Sequence, residues 1–156
     1  MPSGRVHFCI ETGILAGCAI VGAGFVRRGN LSTESLLAFA FGFAFGMFFL
    51  SPDLDLTRSR PTRRWGWLSF LWWPYAKIFR HRGVSHHVIW GPLTRLGYLA
   101  LIVGAVAAAV GALTGHRLAV GRLPIDGWAV LVGVYVPNVA HVVVDGAAGV
   151  LHRGRA

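Results

Sequence analysis

His141 and Asp145 stand four residues apart within an apolar stretch, so on a helix they project from one face, with Asn138 a turn earlier on the same face. An imidazole and a carboxylate so placed can hold a cation together or share a buried hydrogen bond. Pro137 frees a backbone carbonyl near this level and can bend the helix. Asp53 and Asp55 flank Leu54 in a turn that Pro52 starts, and can give two carboxylates to one ion or one to each of two. Carboxylates packed this closely raise each other's energy, and a cation relieves it. The string Arg80-His81-Arg82-Gly83-Val84-Ser85-His86-His87 places three imidazoles close together beside two guanidiniums that suit a phosphate or another anion. His7 and Glu11 share a helical i, i+4 spacing at the head of an apolar run. Cys9 and Cys18 are the only cysteines and form no Cys-x-x-Cys pattern, so a metal site here uses nitrogen and oxygen ligands. His116 and His152 have no partner pattern and read as solvated.

Positioning such residues falls to an unusually apolar chain. Of 156 residues 54% are hydrophobic and 13% charged, with a mean hydropathy of +0.58. The apolar residues come in long uncharged blocks, which points to a membrane protein rather than a soluble helical one. The formal charge of +9 rests on fifteen basic residues. On a soluble chain it would suggest nucleic acid, but basic loops and anionic lipid account for it here and no nucleic-acid partner is expected.

Four blocks are long enough to approach or complete a span: Ile10 to Val26, extended by Phe8 and Cys9; Leu36 to Leu50; Leu96 to Thr114; and about Trp128 to Leu151. The first differs from a signal peptide in its very short basic head, the absence of an A-x-A site and the presence of His7 and Glu11. In the second, Gly42 and Gly46 stand in a G-x-x-x-G register that lets helix backbones approach. Between the second and third, Arg58, Arg60, Arg63, Arg64, Lys77, Arg80 and Arg82 alternate with Trp65, Trp67, Trp72, Trp73 and Tyr75. That alternation predicts a segment lying along the membrane surface or re-entering shallowly. The expected fold is therefore all-α: a polytopic membrane bundle of about four spanning helices with a Trp/Arg-rich interfacial segment, residues 1–156 forming a single membrane-embedded metal-binding domain.

Four spans put both termini on one side. The amino terminus, central segment and carboxyl tail carry eleven basic residues against four in the other two loops. The positive-inside rule then places both termini in the cytoplasm of a bacterial-type inner membrane. His7, Asp53, Asp55, the central histidines, His141 and Asp145 all map to that same face.

Met1 to His7, the Ser51-Pro-Asp-Leu-Asp55 turn, Arg64 to Tyr75, the His81 to His86 string and His141 to Asp145 occur in this order over nearly the whole chain. In this the sequence resembles a bacterial family of uncharacterised metal-binding membrane proteins, which is similar in turn to inner-membrane-associated metal-dependent hydrolases of the LexA-binding type. The resemblance implies His7, Asp53, Asp55, His81, His86, His141 and Asp145 as the metal-site set. The family commonly has an acidic residue directly after the first His, where this chain has Phe8 and, one turn on, Glu11.

The chemistry expected is hydrolysis with one or two divalent ions, Zn²⁺ or Mn²⁺ given mixed imidazole and carboxylate ligands, that ionise a water. Glu11 or Asp55 would act as base, and Arg80 and Arg82 would stabilise charge on a phosphoester or lipid-linked substrate at the cytoplasmic face. Membrane lipid and the metal are the expected partners. Non-catalytic metal transport or sensing is the alternative, and a basic membrane adaptor with dispensable histidines a third reading.

Overall fold

The computed structural model describes residues 4–79, 83–115 and 126–153, with side chains through residue 150. Among these residues the chain is helical and has no strands: α1 (Gly4–Arg27), α2 (Thr33–Phe49), α3 (Arg60–Arg64), α4 (Trp72–Ile78), α5 (Trp90–Thr114) and α6 (Gly127–Arg153). Short 3-10 turns over Pro52–Asp55, Gly66–Leu71 and Val84–His86 join the shorter elements. Four stretches are long and apolar enough to cross a membrane, Gly4–Arg27, Thr33–Asp55, Trp90–Thr114 and Gly127–Val150, as the four apolar blocks led one to expect.

The helices extend beyond the blocks where polar side chains turn inward. α1 begins at Gly4 rather than near Phe8, because His7 and Glu11 are buried on its inner face. α5 begins at Trp90 rather than Leu96, and takes in Arg95, which is fully buried. α6 continues through Pro137 without interruption.

α2 and α6 form the tightest pair, and small residues are the reason. A Cβ on Gly46 would stand 2.9 Å from the Val134 carbonyl oxygen, one on Gly42 would overlap the Val130 carbonyl, and one on Gly133 would overlap the Phe39 carbonyl. The G-x-x-x-G register thus lays α2 directly on the α6 backbone. Rising numbers pair with rising numbers along this contact, so α2 and α6 run parallel. At its far end the Ser35 hydroxyl donates to Asp126 Oδ2 at 2.8 Å, and Asp126 Oδ1 accepts from the Ala129 N–H to cap α6. These bonds hold the Asp126 carboxyl below its ordinary range.

α1 runs antiparallel to that pair, with Gly22 against Leu36 at one end and His7 against Asp145 at the other. The start of α1, the turn after α2 and the middle of α6 therefore meet. The central segment closes over the same end through a core of Leu50, Leu54, Trp72, Tyr75 and Val134.

That core takes up part of the aromatic side chains of the Trp/Arg-rich segment. Trp72 and Tyr75 are buried at 1% and 0% exposure, and burial pushes the Tyr75 phenol above its usual pKa. Trp67, Phe70 and Trp73 remain exposed, with Lys77 Nζ 3.8 Å over the Trp73 ring. Trp65 belongs to the packed side, its indole N–H donating to the Phe49 carbonyl at 3.1 Å. Aromatics on opposite sides of the short helices thus divide between core and surface.

Candidate metal centre

α1 brings two polar side chains to the meeting point, one turn apart on the same face: His7 and Glu11, each 6% exposed. α6 brings His141 and Asp145 by the same spacing, and α2 ends in the Pro52–Asp55 turn that presents Asp53 and Asp55. The central segment adds His86 from the Val84–His86 turn.

The geometry is close on every side. The His7 and His141 rings stack with centroids 3.9 Å apart and planes inclined by 12°. His7 Nε2 lies 3.1 Å from Asp145 Oδ1, and His141 Nε2 lies 3.8 Å from Asp145 Oδ2. One ligand atom from each of His7, His141 and Asp145 falls within 4.8 Å of the others. Asp53 stands between two imidazoles, with Oδ2 3.9 Å from His141 Nε2 and Oδ1 3.9 Å from His86 Nε2. Behind it, His86 Nδ1 is 3.7 Å from Asp55 Oδ2, the oxygen that accepts the Ser85 hydroxyl at 2.5 Å.

These separations fit a metal's donor set. Two ligands bonded to one tetrahedral ion at ~2.0–2.2 Å stand about 3.4 Å apart, the range spanned here. Among the described residues no Lys or Arg comes within 4.0 Å of Glu11, Asp53 or Asp145. These carboxylates have imidazoles as their near neighbours, and a cation shared by both kinds of donor would balance the charge they carry out of bulk water.

Glu11 lies against the imidazole of His141. Its Oε1 lies 3.3 Å from His141 Nδ1, on the far side of the ring from Asp53 and Asp145. A carboxylate there fixes the tautomer and orientation of an imidazole whose Nε2 is the ligand atom. Phe8 points elsewhere, packing edge-on against Phe48 at 5.8 Å.

Asp55, the other expected base, is buried at 6% exposure. His81, Arg80 and Arg82 lie outside the described residues, as does His116. Asn138 donates from Nδ2 to the Val134 carbonyl at 2.7 Å, and its Oδ1 is buried with no hydrogen-bond partner among the described residues. His87 is a cap: Nδ1 accepts from the Ile89 and Trp90 N–H groups at 3.2 and 3.3 Å, at the start of α5.

Two residues at this end gave no signal in the sequence. Ser85 is fully buried and anchors Asp55. Arg95 is fully buried in α5, donates from Nε to the Gly91 carbonyl at 3.0 Å and lies in electrostatic reach of Asp55 and Asp53. Its position beside Leu96 made it indistinguishable from the last charge of a basic loop.

Beside the cluster opens a cavity of about 590 Å³. His7, Glu11, Asp53 and His141 form one side of it, and Arg5, Arg60 and Arg64 contribute to the other. Asp53, whose side chain is 31% exposed, is the most open carboxylate of the cluster.

No solved structure matches this chain. An uncharacterized protein of Aquifex aeolicus (strain VF5) is 49% identical over 63 residues, which make up 40% of this chain and 45% of the relative. The model of a family described as uncharacterized metal-binding protein (DUF2227) matches residues 2–154, essentially the full length, and the chain belongs to that family.

Proposed function

We propose that this protein is a membrane-bound hydrolase that uses one or two divalent cations held by His7, His141 and Asp145 and by Asp53, Asp55 and His86. The convergence of imidazole and carboxylate atoms from α1, α2's terminal turn, α6 and the central segment at 3.1–3.9 Å carries this reading. His81, which the family resemblance adds to the set, belongs to the proposal on that ground alone. Mixed nitrogen and oxygen donors favour Zn²⁺ or Mn²⁺.

When bound, such an ion supplies Lewis acidity, acidifying a water towards pH ~7 and drawing charge from a phosphoryl oxygen. The chain's own residues do the rest. Glu11 holds the His141 ring in place through Nδ1, and Ser85 holds Asp55. Asp53 reaches both groups of donors and opens to the cavity, which supports its carboxylate as the ligand shared between them. A phosphoester, soluble or lipid-linked, is the substrate class. In this reading residues 1–156 act as one unit in a bacterial inner membrane, with both termini and the site on the cytoplasmic side as the distribution of basic residues suggests. Kinship with the LexA-binding type of hydrolase belongs to the same proposal.

Purified protein supplied with Mn²⁺ or Zn²⁺ should hydrolyse bis(p-nitrophenyl) phosphate, and His86→Ala, Asp53→Ala and His141→Ala should each reduce the rate at least ~10²-fold. Retention of full activity by all three variants would rule the reading out. One observation favours a non-catalytic metal transporter or sensor: Asn138 Oδ1 is buried and has no hydrogen-bond partner among the described residues one turn along α6 from His141, where an ion moving along the helix could meet it. Metal flux into proteoliposomes, with no hydrolysis, is the outcome that reading requires.

A further inference from the structure

The cavity beside the cluster has a cationic wall that the metal-site residues do not explain. Arg5 projects from the first turn of α1, and Arg60 and Arg64 from the two ends of α3, and all three line the same cavity. Arg60 crosses the start of α1, where a Cβ on Gly4 would lie 3.9 Å from its Cδ. Arg64 is held over the end of α2: its Nη1 donates to the Phe48 carbonyl at 3.4 Å, and its Cζ sits 4.7 Å over the Phe48 ring. None of the three makes an ion pair with a carboxylate among the described residues.

The three guanidiniums line the cavity with Glu11 and Asp53 but pair with neither within 4.0 Å, so their donors are open to an anion that enters it. Guanidinium forks match a phosphate's several oxygens better than any single-point anion. A bound cation at the neighbouring cluster would strengthen the same preference. The remaining lining mixes Phe8, Met47 and Pro61 with Ser51 and Ser59, and the cavity's ~590 Å³ falls within the size of ligand sites, which span roughly 300–1,000 Å³.

We infer that this cavity binds the phosphate group of a phosphoester, with Arg5, Arg60 and Arg64 as its anion-holding wall and Phe8, Met47 and Pro61 receiving the adjoining organic part. This rests on the metal-dependent reading and names the residues that recognise its substrate. The phosphate enters beside Asp53 and His141, so its ester bond lies next to the metal donors. The ester belongs either to a lipid head group or to a soluble metabolite, and the arginine wall is common to both.

The test is direct binding to the full-length protein in detergent, by calorimetry, with dihexanoylphosphatidic acid as the lipid probe and glycerol 3-phosphate as the soluble one. At least one probe should bind. Arg60→Ala and Arg64→Ala should each weaken it about tenfold or more, the loss expected for one charge-assisted contact, and Arg60→Lys should restore part of it. Tighter binding of the dihexanoyl probe assigns the site to lipid, and equal binding assigns it to a soluble ester. Binding of neither probe, or binding unchanged in all the arginine variants, overturns the inference. Metal content measured on the same samples separates the two readings. Normal metal content without arginine-dependent binding removes the cavity proposal alone, whereas arginine-dependent binding by a chain that takes up no metal removes the metal reading alone.

Discussion

Glu11→Ala should weaken metal binding although Glu11 is not expected to touch the metal. The carboxylate lies 3.3 Å from His141 Nδ1 with both side chains nearly enclosed, at 7% and 6% exposure. Once His141 Nε2 is committed to an ion, Nδ1 must carry the proton and donate it, and Glu11 is the acceptor in place. A hydrogen bond to a charged group contributes about 1.5–3 kcal/mol, and 1.36 kcal/mol corresponds to a factor of ten. The contact is at the long end of hydrogen-bond distance, so the lower half of that range applies, a loss in metal affinity of about 10- to 45-fold. Glu11→Gln keeps an acceptor oxygen but loses the charge, which roughly halves the bond's strength, so its affinity should fall only about 4- to 7-fold. Competition titration against a chromophoric chelator in detergent measures both. Should Glu11→Ala bind metal as the wild type does while hydrolysis disappears, Glu11 would be the base and the orienting role refuted.

Three further outcomes test the fold that positions the centre. Gly42→Ala places a methyl group into the Val130 carbonyl and should destabilise the α2 and α6 pair by about 1–3 kcal/mol, whereas Gly104→Ala, with nothing within 4 Å, should leave thermal stability in detergent unchanged or higher. Trp72→Ala removes a fully buried indole and should cost about 3–5 kcal/mol, while Trp67→Ala, 80% exposed, should stay within about 0.5 kcal/mol of wild type. The Asp126 carboxyl is held below its ordinary pKa by Ser35 and the Ala129 N–H. Its contribution is therefore complete above the ordinary carboxylate range and is lost as pH falls through the depressed folded value. The difference in unfolding temperature between wild type and Asp126→Ala should be full at neutral pH and vanish in strong acid, and a difference independent of pH would contradict it.

The spanning helices were legible in the sequence because lipid demands long apolar runs, and such runs survive any detail of packing. The boundaries were less so. His7, Glu11 and Arg95 interrupt hydropathy while lying inside helices, since a polar side chain facing a buried centre counts against the run that carries it. The division of the aromatics was hidden as well: Trp72 and Trp73 are neighbours in the sequence, yet one is core and the other exposed, which only the turn of α4 decides. The His141/Asp145 and His7/Glu11 pairs were legible from i, i+4 spacing alone, and topology sufficed to put them on one side. That Glu11 stands against His141 Nδ1, and that Arg5, Arg60 and Arg64 line the cavity, depend on side-chain directions that spacing does not specify.

The central claim is that imidazoles and carboxylates from separate helices hold a cation, and metal content tests it most directly. Elemental analysis of detergent-purified wild type, loaded with Zn²⁺ or Mn²⁺ and freed of excess, should find at least one ion per chain. His7→Ala, His141→Ala and Asp145→Ala should each lower that stoichiometry, while His87→Ala, which removes only the cap at the start of α5, should leave it intact. A wild-type chain that takes up no metal, or triad variants that retain the wild-type content, would contradict the account.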